Sequence, residues 1–293
     1  MNDSTENKTG QQIEKWQLAF RQNLPLKLKI AYSIKRIKNW YEHFDGQVYV
    51  SFSGGKDSTV LLHLARSIYP NIEGVFVDTG LEYPEIRDFI KQQENITWLK
   101  PAIRFDKVIE KYGYPVISKE NSQKIYEIKS TKSEKLKSKR LHGDDKGNGK
   151  LSEKWQYLLN HDIKIGHQCC NVLKKRPVKN YEKLTGKKPI VGTMANESSL
   201  RKTNYLKSGC NSFNGRAMSQ PIAFWSDKDI WEYMWIFGLE YSGIYDKGYD
   251  RTGCMFCMFG VHLEENPNRF ERMKQTHPNN TIIVLISLVA VVY

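Results

Sequence analysis

Residues 48–58 constrain the fold more than any other stretch of this 293-residue sequence. Residues 48–52 are mostly β-branched or aromatic, which predicts a strand. Ser-Gly-Gly then interrupts the strand, and apolar residues at helical spacing follow Ser58. A strand, a glycine turn and a helix start aim backbone N–H groups at one point, where the helix dipole favours an anion. The stretch therefore predicts an α/β fold with a phosphate-binding loop.

The loop also has the side chains that such a site needs. Its two glycines permit positive φ and a close approach of phosphate to the backbone, and its lysine and serines supply a cation and hydroxyl donors. The spelling is not that of a Walker A loop. A βα turn without a ligand would explain two glycines alone, but the whole string favours nucleotide binding. The predicted binding residues are Ser53, Gly54, Gly55, Lys56, Asp57 and Ser58.

Strand-like and helix-like segments alternate after this loop. Residues 72–77 predict a second buried strand, residues 97–99 a third and residues 189–194 a further one, with helices between them. The alternation predicts a doubly wound parallel sheet. Asp78 and Thr79 follow the second strand, so we expect them at the loop's edge of the sheet as further nucleotide ligands. An ordinary turn or helix cap is the alternative for these two residues.

Composition shifts suggest how the chain is divided. Residues 1–44 predict an N-terminal helical extension whose first ten residues are disordered, with a break between two helices at Pro25. Residues 45–275 form the expected main domain. Residues 276–293 are a tail whose last 13 residues are almost wholly apolar but too short to span a membrane. These 13 residues are read as a buried element or a non-native end. With no apolar leader at the N-terminus, we expect a cytoplasmic protein without a membrane partner.

Positive charge is concentrated in one insertion. The chain has a net charge of +13, and residues 119–154 hold eleven Lys or Arg against six Asp or Glu. This segment has few apolar residues and a glycine-rich end, so it predicts a mobile basic insertion whose first part is helical. Its charge favours a polyanionic partner such as nucleic acid. A solvated lysine-rich surface explains the same composition.

Four of the five cysteines form two pairs, and such pairs in a cytosolic chain favour a metal site over disulfides. Four thiolates suit an iron–sulfur cluster or a zinc ion. Adjacent cysteines reach one tetrahedral zinc less readily than the spread irons of a [4Fe–4S] cluster, so the cluster is the first prediction, zinc the second and four buried structural thiols the third. The predicted metal ligands are Cys169, Cys170, Cys254 and Cys257.

These motifs occur in the order seen in another group of proteins. The string at residues 53–58, the cysteine pairs, and the stretches at 192–201, 225–231 and 245–257 resemble the phosphoadenosine phosphosulfate (PAPS) and adenosine phosphosulfate (APS) reductase family. The resemblance covers roughly residues 45–275. It implies an adenine nucleotide α-hydrolase-like fold, with a PP-loop that holds the phosphate or sulfate end of an adenine nucleotide. It adds Gly192, Glu197 and Arg201 to the predicted nucleotide ligands, and its branch with paired cysteines binds a [4Fe–4S] cluster.

Three departures from the family pattern separate the functional readings. Met194 stands where the family has an arginine that contacts the anion, no cysteine follows Cys257, and the basic insertion is unexpected in a compact reductase. A reductase that forms an S-sulfocysteine needs a nucleophilic thiol, and only Cys210 is left to supply it. Cys210 is therefore a catalytic candidate beside Lys56.

Three functions remain open at this stage. The first is a sulfonucleotide reductase that uses a thiol reductant to release sulfite from APS or PAPS. The second is an ATP pyrophosphatase that adenylates a nucleic acid or metabolite for sulfur transfer from a donor protein, with Lys56 and Mg²⁺ stabilising the departing pyrophosphate. The third is a non-catalytic module that binds a nucleotide and a cluster.

Overall fold

Strands and helices alternate in the computed structural model, which describes residues 12–280. The predictions for residues 1–10 and 281–293 concern residues outside this range. The strands are β1 (Val48–Ser51), β2 (Gly74–Val77), β3 (Ile96–Leu99), β4 (Lys188–Val191), β5 (Asn211–Ser212) and β6 (Met218–Ser219). The α-helices are α1 (Lys15–Gln22), α2 (Leu26–His43), α3 (Lys56–Arg66), α4 (Pro84–Lys91), α5 (Phe105–Tyr112), α6 (Lys119–Ser130), α7 (Glu134–His142), α8 (Arg176–Thr185), α9 (Ser199–Ser208), α10 (Asp227–Ile236) and α11 (Arg269–Thr276).

The strands form one sheet in the order β3-β2-β1-β4-β6-β5. Every neighbouring pair is parallel except β5 with β6. From β1 the sheet grows through β2 on one side and through β4 on the other, so its strand order reverses between β1 and β4. Ser51 pairs with Val191 in the register of these two strands. Loops that leave the carboxyl ends of β1 and β4 therefore emerge side by side, at the position where open α/β sheets bind ligands.

Helices cover both faces of the sheet, as a doubly wound fold requires. A side chain at Gly74 would point towards Leu62 of α3, whereas the next residue, Val75, packs in one cluster with Tyr49 and Tyr181 of α8. Because successive residues of a strand face opposite sides, α3 and α8 lie on opposite faces. The predicted doubly wound, mostly parallel α/β fold is confirmed.

The N-terminal helices support the start of α10. Pro25 is the N-cap of α2, as the break between two helices predicts. Further along α2, Ser33 donates a hydrogen bond to the carbonyl oxygen of Pro221 at 2.9 Å and accepts one from Nε1 of Trp225 at 3.0 Å. Lys29 lies 2.7 Å from Asp229, which also forms a capping box with Ser226. These buried contacts fix where α10 begins.

The chain divides into two compact units, which we name the sheet unit and the cysteine unit. The sheet unit contains the described residues up to 77 together with residues 83–99 and 178–252, and it holds all six strands. The cysteine unit contains residues 78–82, 100–177 and the described residues from 253 onward. It holds both cysteine pairs, the basic insertion and α11.

The basic insertion is more structured than its composition suggests. Residues 119–154 form α6, α7 and the beginning of a 3₁₀ segment, Glu153–Asn160. Ile125 and Ile128 of α6 pack with Leu151 and Ile165 in a small buried cluster. The helical first part is as predicted. The composition of the segment does not predict this cluster, because its apolar residues are far apart in the sequence and come into contact only in the folded segment.

None of the helices within residues 12–280 combines the length and the apolar composition that a bilayer crossing requires.

Candidate functional site

The phosphate-binding loop predicted at residues 53–58 is held by its own hydrogen bonds. The Ser58 hydroxyl donates to the carbonyl oxygen of Gly55 at 2.8 Å and accepts from the backbone N–H of Ser53 at 3.1 Å. Gly54 has a φ of 71°, and a Cβ there would come within 2.8 Å of Ile90. Glycine is therefore required by both conformation and space. The loop ends at the N-terminus of α3, whose N-cap is Gly55.

Lys56 is buried and held between two carboxylates. Its Nζ lies 3.1 Å from Asp57 and 2.6 Å from Asp227, and its backbone N–H donates to the hydroxyl of Tyr245 at 2.8 Å. Burial alone would lower the pKa of Lys56, but Asp57 and Asp227 outweigh it and raise that pKa. The lysine is therefore a fixed positive charge at neutral pH. Burial raises the pKa of Asp57, and the neighbouring ammonium of Lys56 opposes that shift.

The loop after β4 packs directly against this helix start. A Cβ on Gly192 would lie 3.1 Å from the carbonyl oxygen of Asp57, so glycine permits the two loops to approach closely. Next in the chain, Glu197 accepts a hydrogen bond from the backbone N–H of Met194 at 2.8 Å and forms an ion pair with Arg201. The predicted ligands Gly192, Glu197 and Arg201 thus come to the same place as the 53–58 loop.

A cavity of about 1010 Å³ opens above these two loops. Its volume is at the upper end of the usual range for small-molecule sites. The loop residues form one wall, and aromatic side chains form another. The ring of Trp231 stands perpendicular to those of Tyr241 and Tyr245, at centroid distances of 5.3 and 5.5 Å. The arrangement offers a phosphate cradle with a fixed cation beside flat apolar surfaces, which suits a nucleotide.

Sequence reasoning named part of this cavity and missed the rest. The missed lining residues include Asp227, Trp231, Trp235, Tyr241, Tyr245 and Thr252. They lie about 170 to 195 residues after the loop, and no local spacing connects them to it. The signal that points to them in the sequence is the family order of the stretches at residues 225–231 and 245–257.

Asp78 and Thr79 come directly after β2 and belong to the cysteine unit. Both are buried. The hydroxyl of Thr79 donates to Glu82 at 2.7 Å, and the carboxylate of Asp78 accepts from the N–H of Gly80 at 3.1 Å. The two side chains therefore form a turn of the kind that the alternative interpretation describes. Their role as nucleotide ligands stays a prediction.

The four paired cysteines come together within the cysteine unit. Burial, together with the nearby thiols of Cys170, Cys254 and Cys257, raises the pKa of Cys169 to about 12. The first pair precedes a single π-helical turn, Asn171–Lys175, and the second lies in a turn closed by the N–H of Cys257 and the carbonyl oxygen of Cys254 at 3.0 Å. Turns of this π type are frequent at functional sites.

A lysine and a glutamate lie beside these thiols. Burial alone would lower the pKa of Lys174, but Cys254 and Glu82 reverse that effect and raise it. The ammonium group in turn opposes the burial that raises the pKa of Cys254. In the described part of the chain, no group of three or more His, Cys, Asp or Glu side chains is placed to hold a metal ion. The donor chemistry nevertheless fits a cluster, because four thiols lie near one another and beside a lysine that offsets thiolate charge.

Cys210 lies apart from both groups. It is buried in the sheet unit, next to the hydroxyl of Tyr205, which accepts a hydrogen bond from Arg21 at 2.8 Å. Among residues 12–280, neither Cys210 nor any other cysteine lines the cavity. The structure therefore does not bring this catalytic candidate to Lys56.

Two sequence relatives and one solved structure are similar to this chain. An uncharacterised protein of Methanocaldococcus jannaschii is 28% identical over 84% of this chain and 49% of its own length. An adenosine 5′-phosphosulfate reductase of Bacillus cereus is 27% identical over 77% of this chain and 79% of its own length. The phosphoadenylyl-sulfate reductase of Candida auris, solved with phosphate, has a TM-score of 0.44 at 15% identity, over 83% of this chain and 96% of that one.

Length limits what these relatives imply. The chain spans about half of the first archaeal relative and 38% of a second protein from the same organism. The family assignment does not depend on either, because the phosphoadenosine phosphosulfate reductase domain itself matches residues 47–142 and 105–259, which together cover most of the chain. The chain therefore belongs to the phosphoadenosine phosphosulfate reductase domain family.

Proposed function

We propose that this chain is an enzyme that binds an adenine nucleotide or sulfonucleotide in the cavity above the 53–58 loop. The observation that carries the proposal is the placement of Lys56. It is a buried cation at the start of α3, at the point where the strand order of the sheet reverses, and it faces a cavity large enough for a nucleotide. The loop amides and Lys56 would hold the phosphate or sulfate end.

We also propose that Cys169, Cys170, Cys254 and Cys257 hold a [4Fe–4S] cluster, with zinc as the alternative metal. When bound, a cluster would supply electron transfer or a binding point for sulfur. The chain's own contribution would be to bury the thiols and to balance their charge with Lys174. The relatives named as APS reductases agree with a role in sulfur chemistry.

Reduction of APS or PAPS is the first candidate reaction, and Cys210 is the only thiol left to act as its nucleophile. The placement of Cys210 favours the second candidate reaction, adenylation by an ATP pyrophosphatase. Because Cys210 does not line the cavity, a reaction that needs no protein thiol at the nucleotide gains support. In that reaction an acceptor oxygen attacks the α-phosphorus of ATP, pyrophosphate leaves, and Lys56 stabilises the leaving group. Asp57 and Glu197 also line the cavity, and their carboxylates would be available to hold a Mg²⁺ ion, which would offset the negative charge of the phosphates.

A product assay separates the two reactions. Anaerobically purified protein is offered ATP, APS or PAPS separately, with and without a thiol reductant and with and without RNA or DNA. Sulfite from APS or PAPS establishes the reductase, whereas pyrophosphate from ATP without sulfite establishes the adenylating enzyme. Tight nucleotide binding with neither product would overturn both and leave the non-catalytic module. A Cys210→Ser variant with undiminished sulfite release would remove Cys210 from the reductase mechanism.

A further inference from the structure

The folded basic insertion of the cysteine unit has an uneven charge distribution. Four of its six acidic residues are matched by cations of the same segment: Glu120 with Lys124, Glu127 with Arg140, Glu153 with Lys150 and Asp144 with Lys139. The segment's remaining cations are all exposed, namely Lys119, Lys129, Lys132, Lys135, Lys137, Lys146 and Lys154. The excess positive charge therefore lies on its solvent side.

Helix α7 accounts for much of this surface and contributes little to the core. None of its residues is buried, and only Leu141 packs on the small cluster around Ile125 and Leu151. The helix starts at a Ser133 cap and presents Lys135 and Lys137 to solvent, with Lys132 just before it. A helix that exposes several like charges attracts an anionic partner electrostatically.

Aromatic side chains lie in the same folded segment. The 3₁₀ segment Glu153–Asn160 packs against α6 through the cluster that contains Ile125, and it carries Trp155 and Tyr157. Tyr157 is 53% exposed, and the ammonium of Lys154 lies 5.0 Å from the centre of the Trp155 ring. A folded segment that exposes both an aromatic ring and several lysines has the groups that bind unpaired bases by stacking and their phosphates by charge.

We propose that α6, α7 and the 153–160 segment form a binding surface for single-stranded nucleic acid. The lysines at 132, 135 and 137 contact the phosphodiester backbone, and Tyr157 stacks on a base. A duplex satisfies the charges but hides its bases, so the exposed tyrosine favours a single strand over a duplex. The surface is independent of the nucleotide reaction proposed above, and binding is measured without turnover.

The first test is a titration of the full chain with fluorescein-labelled oligo(U) of 20 nucleotides at several salt concentrations. We expect binding at low salt whose logarithmic affinity falls linearly with the logarithm of salt concentration. The Lys132→Ala/Lys135→Ala/Lys137→Ala variant should reduce that slope by between about 1 and 2, because each phosphate contact on a single strand contributes about 0.7. Alanine favours the helix, so the variant is expected to fold.

The matched control replaces three exposed lysines of the sheet unit, Lys179, Lys183 and Lys207, by alanine. It changes the net charge equally and should leave the slope unchanged. Tyr157→Ala should weaken oligo(U) binding roughly fivefold or more, and Tyr157→Phe should restore it, since stacking needs the ring and not the hydroxyl. Oligo(dT) in place of oligo(U) tells whether the ribose hydroxyl contributes.

Three results would overturn the proposal. One is the absence of oligo(U) binding at low salt. Another is an equal loss of slope in the control variant, which would show a response to net charge only. The last is equal or tighter binding to a duplex of the same length together with no effect of Tyr157→Ala, which would reduce the surface to a nonspecific basic patch.

Discussion

The two compact units differ in how their sites are built. In the sheet unit, the ligand loop comes from a continuous strand–turn–helix segment, β1 to α3, and the loop after β4 lies beside it by register. In the cysteine unit, Leu81, Val108 and Cys169 share one cluster although they come from segments far apart in the chain. Over residues 12–280, the sheet unit carries 22 Lys or Arg against 16 Asp or Glu, and the cysteine unit 22 against 14. The smaller unit is therefore the more positive.

This difference indicates a division of tasks. A continuous βα unit gives a rigid anion cradle at a defined edge of the sheet. A unit assembled from distant segments can instead gather thiols that adjacent residues could not bring together. We propose that nucleotide binding belongs to the sheet unit and metal binding to the cysteine unit. The following predictions test whether the two properties can be changed separately.

The largest effect is expected from Lys56→Gln. This variant keeps a hydrogen-bond donor between Asp57 and Asp227 but removes the positive charge that faces the nucleotide's phosphates. We expect kcat/KM for product release from the preferred nucleotide to fall by about 10²- to 10³-fold, the usual loss when one preorganised electrostatic group is removed. Iron content should be unchanged. A fall smaller than about threefold in kcat/KM would remove Lys56 from the reaction.

Cys254→Ser should act on the other unit. We expect iron and acid-labile sulfide to drop from about four atoms each per chain by tenfold or more, with loss of the visible absorption of the cluster. Nucleotide affinity should stay within about twofold. Cys210→Ser is the matched control, because it removes a buried thiol from the sheet unit and should keep the iron. If both variants kept their iron, the thiols of the cysteine unit would be structural.

The sequence predicted the sheet unit well because its signals are local. The periodicity at residues 48–66 predicted both β1 and α3, and the six-residue loop predicted where Lys56 would lie. The opposite wall of the cavity could not be predicted this way, since the contact of Asp227 with Lys56 joins residues 171 positions apart and depends on how α2 fixes the start of α10. The cysteine pairs were visible in the sequence, but Glu82 beside Lys174 was not, because only tertiary folding brings them within 3.7 Å.

A smaller effect is expected at the opposite end of the sheet unit. Glu73, just before β2, accepts hydrogen bonds from Thr97, Tyr181 and Lys187. Burial alone would raise the pKa of Glu73, but these donors outweigh it and lower that pKa. Its contribution to stability is therefore full above the unfolded-state pKa of about 4.5 and is lost as the pH falls through the lower folded-state pKa.

Glu73→Gln should consequently lower the free energy of unfolding at pH 7 by about 1–2 kcal/mol, since it replaces charge-assisted hydrogen bonds by neutral ones. Urea unfolding followed by circular dichroism from pH 3 to pH 7 measures the difference. The two proteins should converge as the pH falls below about 4. A difference that did not depend on pH would show that packing, not charge, is what Glu73 contributes.

The smallest effect should come from Asp227, whose carboxylate is 2.6 Å from the Lys56 ammonium and whose side chain is 64% exposed. An incoming phosphate must compete with this carboxylate for the same cation. Removing the charge with Asp227→Asn should therefore lower the KM for the nucleotide by about two- to threefold, the modest gain expected for an exposed ion pair. The kcat should change less, because Lys56 itself remains in place.

Asp246→Asn is the control for this competition. Asp246 also lines the cavity, where its carboxylate accepts a hydrogen bond from Tyr241 at 3.1 Å, and its loss removes the same charge from the site. Steady-state kinetics at low and high salt measure the two variants. The KM for the nucleotide should be lower in Asp227→Asn and nearly unchanged in Asp246→Asn. Equal decreases in the two variants would mean that the cavity responds to its total charge. An increase in KM for Asp227→Asn would assign that carboxylate to the Mg²⁺ that accompanies the phosphates. Nucleotide binding at the 53–58 loop would then depend on a residue whose position only the tertiary fold determines.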